Sequence, residues 1–177
     1  NALLGEFLPY FACILYNLAV LYKSQGRYCE AEPLYQEVLA MMKTLFERHP
    51  SVATSLNNLA GLYRSQDRYS EAEPLYQEAL TMRKALLGDA HPDVAQSLNN
   101  LARLYDLQGR YEAAEPLYLQ AITVCYQRLG NNHPNTQTVL NNFVGYLRKV
   151  IEAKQTGTLS DHPTTQAVLQ YLQQGQD

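Results

Sequence analysis

Four histidines recur along the chain, His49, His91, His133 and His162, each followed by proline. Imidazole is the side chain most often used for metal ligation or proton transfer near neutral pH. The first three stand 42 residues apart. At one turn per structural repeat they lie about a helix-pair width from one another, too far to share a metal ion, and they read as turn residues. Acidic pairs such as Glu71/Glu73 also recur with the same period, which makes them solvent-facing repeat features rather than an acid/base dyad. Cys13, Cys29 and Cys125 are odd in number, widely spaced and without a CxxC, so the expectation is three free, mostly buried thiols in a reducing, cytoplasmic compartment. No G-x-S-x-G, HExxH, P-loop or GxGxxG occurs. The expectation is therefore a protein without catalysis, metal or cofactor.

What positions these residues is a helical repeat. The chain has 177 residues, 46% hydrophobic and 18% charged, enough apolar content to bury a core. Its 14 basic and 17 acidic residues leave a net charge of −3, which argues against nucleic acid as a general partner. No apolar run approaches about 18 residues, so no membrane span is expected.

Self-similarity carries the rest. Ser55-Leu-Asn-Asn-Leu-Ala-Gly-Leu-Tyr63 returns as Ser97-Leu-Asn-Asn-Leu-Ala-Arg-Leu-Tyr105. Arg68-Tyr-Ser-Glu-Ala-Glu-Pro-Leu-Tyr76 returns as Arg110-Tyr-Glu-Ala-Ala-Glu-Pro-Leu-Tyr118, with an earlier copy from Tyr16 to Tyr35. The second Asn of each copy falls at Asn17, Asn58, Asn100 and Asn142, spacings of 41, 42 and 42. Leu56, Leu59, Ala60 and Tyr63 make one apolar helix face, and Ala72, Leu75, Tyr76, Ala79 and Leu80 make a second. Gln25-Gly26, Gln66-Asp67 and Gln108-Gly109 break the two helices apart. Pro33, Pro74 and Pro116 place the second-helix starts near Cys29, Ser70 and Glu112, and each His-Pro step opens the next first helix.

The series Leu56, Leu59, Ala60, Tyr63, Ala72, Tyr76 resembles the tetratricopeptide-repeat (TPR) signature. The 42-residue period, the Leu-Asn-Asn-Leu-Ala and Glu-Ala-Glu-Pro-Leu-Tyr strings and the His-Pro step resemble the kinesin light chain type of TPR, a type also widespread in bacterial multi-repeat proteins. The resemblance covers roughly residues 1–150. It implies an all-α fold, an α-solenoid of antiparallel helix pairs wound as a right-handed superhelix, acting as a protein-interaction scaffold. Residues 1–8 read as the tail of a preceding repeat, because Ala2–Pro9 aligns with Ala85–Pro92. Residues 9–49, 50–91 and 92–133 read as three repeats, 134–155 as the first helix of a truncated fourth, and 156–177 as a loop and capping helix. Leu3, Leu4, Phe7 and Phe11 give the N-terminal end an apolar face that is expected to self-associate.

In such a stack the first helix of each pair lines the concave side. Positions between the core-facing ones should face the groove: Cys13, Tyr16, Val20, Lys23 and Ser24 in copy 1; Thr54, Asn57, Gly61, Arg64 and Ser65 in copy 2; Gln96, Asn99, Arg103, Asp106 and Leu107 in copy 3; Thr138, Asn141, Gly145, Arg148 and Lys149 in copy 4. Asn57, Asn99 and Asn141 would form a carboxamide ladder able to pair with peptide N–H and C=O, or else a solvated face. The other Asn of each pair would face a neighbouring helix. Five cations against Asp106 leave the groove basic and suited to an acidic, extended peptide. Gly61 and Gly145 would leave room for a bulky side chain. Kinesin light chain grooves accept peptides with a Trp among acidic residues, so the resemblance implies an acidic, aromatic-containing ligand. The alternative is an architectural or self-associating segment with no peptide ligand of its own.

Overall fold

The computed structural model describes residues 2–46 and 48–174, with side chains described from residue 7 onward apart from Glu47. Leu3 and Leu4 therefore lie outside the described side chains. Among the described residues the chain is helical throughout, with no strand. The helices are α1 Ala2–Ser24, α2 Tyr28–Leu45, α3 Pro50–Ser65, α4 Tyr69–Leu87, α5 Pro92–Leu107, α6 Tyr111–Leu129, α7 Pro134–Glu152 and α8 Pro163–Gln174. They form two compact units, Asn1–Gly88 and Asp89–Asp177. The first packs α1 on α2, α2 on α3 and α3 on α4; the second packs α5 on α6, α6 on α7 and α7 on α8.

Each helix end has a local cause. His49, His91, His133 and His162 accept the backbone N–H of Ser51, Asp93, Asn135 and Thr164 on Nδ1, so each imidazole caps a helix that opens on Pro. That places the histidines in the turns, as their spacing suggested. First helices stop at Gly26, Asp67 and Gly109, which take left-handed φ of 72°, 59° and 70°. The chain then folds back so that the Arg27, Arg68 and Arg110 N–H groups bond to Tyr22, Tyr63 and Tyr105 carbonyls. Each arginine's guanidinium also lies 4.0–4.2 Å over the ring of that tyrosine. In copy 4 this turn position holds Ile151, which resists positive φ, and α7 runs on to Glu152 before Lys154 takes φ 56°.

Two expectations shift. The second helices start at Tyr28, Tyr69 and Tyr111, one residue earlier than their prolines suggested. The boundary expected at Pro9 carries no break, because Leu8 stands where His caps the later copies and α1 runs straight through.

In the first unit Ala12, Leu15, Val38, Met42, Val52, Ala53, Leu56 and Ala79 form one buried cluster. In the second, the rings of Tyr118, Phe143 and Tyr146 pack with centroids 5.3–5.9 Å apart, and Tyr146 donates its hydroxyl to the Tyr111 carbonyl at 2.9 Å. Small Ala31, Ala72 and Ala114 are fully buried, which lets the paired helices close on them. The thiols depart from expectation: Cys125 is buried, but Cys13 and Cys29 are exposed. So does hydropathy. Phe7–Ser24 of α1, with mean hydropathy 1.2, is long and apolar enough to cross a membrane, whereas the sequence suggested no such segment. Ala12, Leu15 and Ala19 of that helix are buried within the repeat.

Candidate functional site

In the first unit the surface expected to face the groove comes from α1 and α3. Pro9, Ala12, Cys13 and Tyr16 from α1, Val38 and Met42 from α2, and Pro50, Thr54 and Asn58 from α3 line a cavity of about 440 Å³. Lys23 stands further along α1, half-buried, with its ammonium directed at α3. A Cβ added at Gly61 would meet Lys23 Nζ at 3.2 Å and the Tyr76 hydroxyl at 3.4 Å. The room expected at Gly61 is thus already filled by the lysine. Burial and the neighbouring Arg64 guanidinium together bring the Lys23 ammonium down to about 8 from an ordinary 10.5. No carboxylate among the described residues pairs with Lys23.

The asparagine ladder is corrected in part. Asn57 and Asn99 are buried, at 7% and 6% exposure, because the neighbouring helices cover flanks of α3 and α5 that a single-helix projection leaves open. Asn57 donates to the Ala53 carbonyl of its own helix at 3.2 Å. Asn99 accepts from Asn142 Nδ2 at 3.0 Å, so Asn142 faces a neighbouring helix as expected. Asn141 is exposed, and Asn58 and Asn100, expected to face a neighbouring helix, are half-buried and each line a cavity.

The second unit's face comes from α5 and α7. Gln96, Asn99, Asn100 and Arg103 from α5 and Asn135, Thr138 and Val139 from α7 enclose about 140 Å³ over Cys125. Asp106, 8% exposed, holds Lys149 Nζ at 2.8 Å, so that cation is neutralised where it stands. Arg148 remains exposed and Arg103 half-exposed, and Gly145 has open space above it. Thr54 and Gln96 are exposed as expected. Thr54 also accepts from Arg83 Nη2 at 3.2 Å. Arg83, 3% exposed on α4, was missed from sequence. The available signal was its place in the repeat, where copies 1 and 3 carry Met42 and Cys125.

Paired helices joined by capped turns define an all-α helical-repeat protein. The tetratricopeptide-repeat family model matches residues 10–85 and 71–127, and the chain belongs to that family. Repeats of this family generally mediate protein–protein interaction. The chain is similar to a kinesin light chain-like protein of Podosopora anserina built of nearly identical TPR-like repeats, at 28% identity and TM-score 0.70, covering 95% of this chain and 89% of that one. A single-substitution form of the same protein matches at 27% identity and TM-score 0.71, covering 95% and 88%. It also shares its fold with BtubC (BKLC) from P. vanneervenii, at 24% identity and TM-score 0.69, over 89% of this chain and 61% of that one, so it spans about three-fifths of that protein. No curated protein sequence matches it.

Proposed function

We propose that the chain is a non-catalytic, cytoplasmic interaction scaffold, and that the first-helix face of each unit binds an extended acidic peptide. The carrying observation is Lys23: a half-buried ammonium held beside Arg64 with no carboxylate partner among the described residues. A half-buried charge beside a second cation costs stability, and an incoming carboxylate relieves it by pairing with Lys23. Thr54 and Asn57 flank this site on α3. In the second unit Gln96 and Arg103 on α5 and Asn141 and Arg148 on α7 supply the contacts. The 440 Å³ cavity beside Tyr16 and Met42 lies in the size range of side-chain and ligand pockets and suits an aromatic residue of the peptide. Exposed thiols at Cys13 and Cys29 fit a reducing compartment.

Fluorescence anisotropy with an acidic, Trp-bearing peptide tests this against the same peptide with Asn and Gln for Asp and Glu. Lys23→Met and Arg103→Ala should each weaken the acidic peptide at least fivefold and leave the neutral one unmoved. Equal affinity for both peptides, or unchanged binding in both variants, removes the reading.

A second reading rests on α1, where Phe7, Tyr10 and Ile14 are 65%, 72% and 63% exposed. This face supports self-association, which sedimentation across a concentration series reads directly. A single monomer species at millimolar protein sinks it.

A further inference from the structure

Glu115 on α6 is 3% exposed, and its carboxylate accepts from the Ser160 N–H at 2.8 Å, the Ser160 hydroxyl at 2.7 Å and the Thr165 hydroxyl at 2.6 Å. All three donors are neutral and belong to the segment after α7. The same repeat position in copy 1 is Glu32, and there the partner is a cation: Arg68 of the next copy reaches it at 2.6 and 3.1 Å. The position that would bring an arginine to Glu115, 42 residues beyond Arg110, holds Glu152. The carboxylate whose copy 1 counterpart takes a guanidinium is thus occupied by a backbone N–H and two hydroxyls from the loop and α8. That loop leaves α7 through Lys154 at φ 56°, a conformation unfavourable for a residue with a Cβ. Most of it is exposed, and α8 buries only Thr165, Leu169 and Leu172.

We propose that residues 153–174 are a hinged cap, latched on Glu115, that opens about Lys154 as one unit while α5, α6 and α7 stay folded. The face it uncovers fits a segment that delivers an arginine to Glu115, as Arg68 is delivered to Glu32. Charge at position 160 sets the latch. A carboxylate there faces Glu115 without a compensating cation; a guanidinium there restores the pair found in copy 1.

Hydrogen exchange followed by mass spectrometry on the whole chain tests this. In the parent protein, amides of 156–172 should exchange together and faster than those of 111–150. Ser160→Glu should speed 156–172 at least tenfold and leave 92–129 unchanged, whereas Ser160→Arg should hold or slow it. In a Glu115→Gln background the effect of Ser160→Glu should shrink severalfold, since the coupling partner is gone. If Ser160→Glu and Ser160→Arg speed exchange equally, bulk rather than charge governs the loop and the latch is refuted. Exchange of 156–172 at the rate of α6 and α7 in every variant refutes the hinge.

Discussion

Lys23→Met should stabilise the first unit at neutral pH while weakening acidic-peptide binding. In the folded chain the ammonium titrates near 8, against an ordinary 10.5. Below pH 8 both folded and unfolded states carry the proton, and the folded state bears the whole cost of a half-buried charge held beside Arg64. Between 8 and 10.5 the folded lysine is neutral while the unfolded one is still protonated, so stability rises with pH across that window. Above 10.5 both states are neutral and the lysine contributes nothing further. One pKa unit corresponds to about 1.36 kcal/mol, so full burial would set the cost near 3 kcal/mol; Lys23 keeps part of its contact with water, which reduces it to roughly 1–2 kcal/mol. Urea denaturation at pH 7 and pH 9.5 reads this. The parent should gain roughly 1 kcal/mol between the two, beyond any change shared with Lys23→Met. The methionine form should lie above the parent at pH 7 and meet it near pH 10.5. Parallel pH profiles for the two proteins would show that Lys23 is well solvated, and the reasoning that makes it an anion site would fall with that result.

Other outcomes follow from single contacts. Tyr146→Phe removes the 2.9 Å hydrogen bond to the part-buried Tyr111 carbonyl and should cost about 1 kcal/mol in urea denaturation. His91→Ala removes the Nδ1 cap on the Asp93 N–H and should cost about 1 kcal/mol, with His91→Asn restoring most of it. Gly130→Ala forces a Cβ into φ 82°, ψ 167°, a region open essentially to glycine, and should lower stability by about 1–3 kcal/mol although nothing stands within 4 Å to clash.

The helices and turns were legible because each is fixed locally. A 42-residue period, Ala31, Ala72 and Ala114 at the close approach, and a His-Pro cap leave few alternatives, and the structure differs from the reading by about a residue at most starts. Where reading failed, a second helix had intervened. Asn57 and Asn99 project outward on their own helices yet lie under the flanks of neighbours. Gly61 looked like space, and Lys23 from another helix fills it. Lys149 looked like a free cation, and Asp106, one copy earlier, takes it up. Arg83 sits in an apolar stripe position and still buries its guanidinium. Offsets of three and four residues define a helix face but not which neighbouring side chains bend across it.

The turn arginine has a consequence for how such a chain grows. Arg68 binds Glu71 in its own copy and Glu32 in the copy before, while stacking on Tyr63. Arginine at this position and glutamate at the position of Glu32 recur in all three complete copies, so the sequence of each carries the residue types of both a plug and a socket. An in-frame duplication of 42 residues would arrive with both halves of its junctions already written, and needs no compensating substitution to fit between its neighbours. Length in this architecture is then a cheap variable for evolution, and the residue that ends the series is the one that fails to offer the plug: Glu152, where an arginine would have continued it.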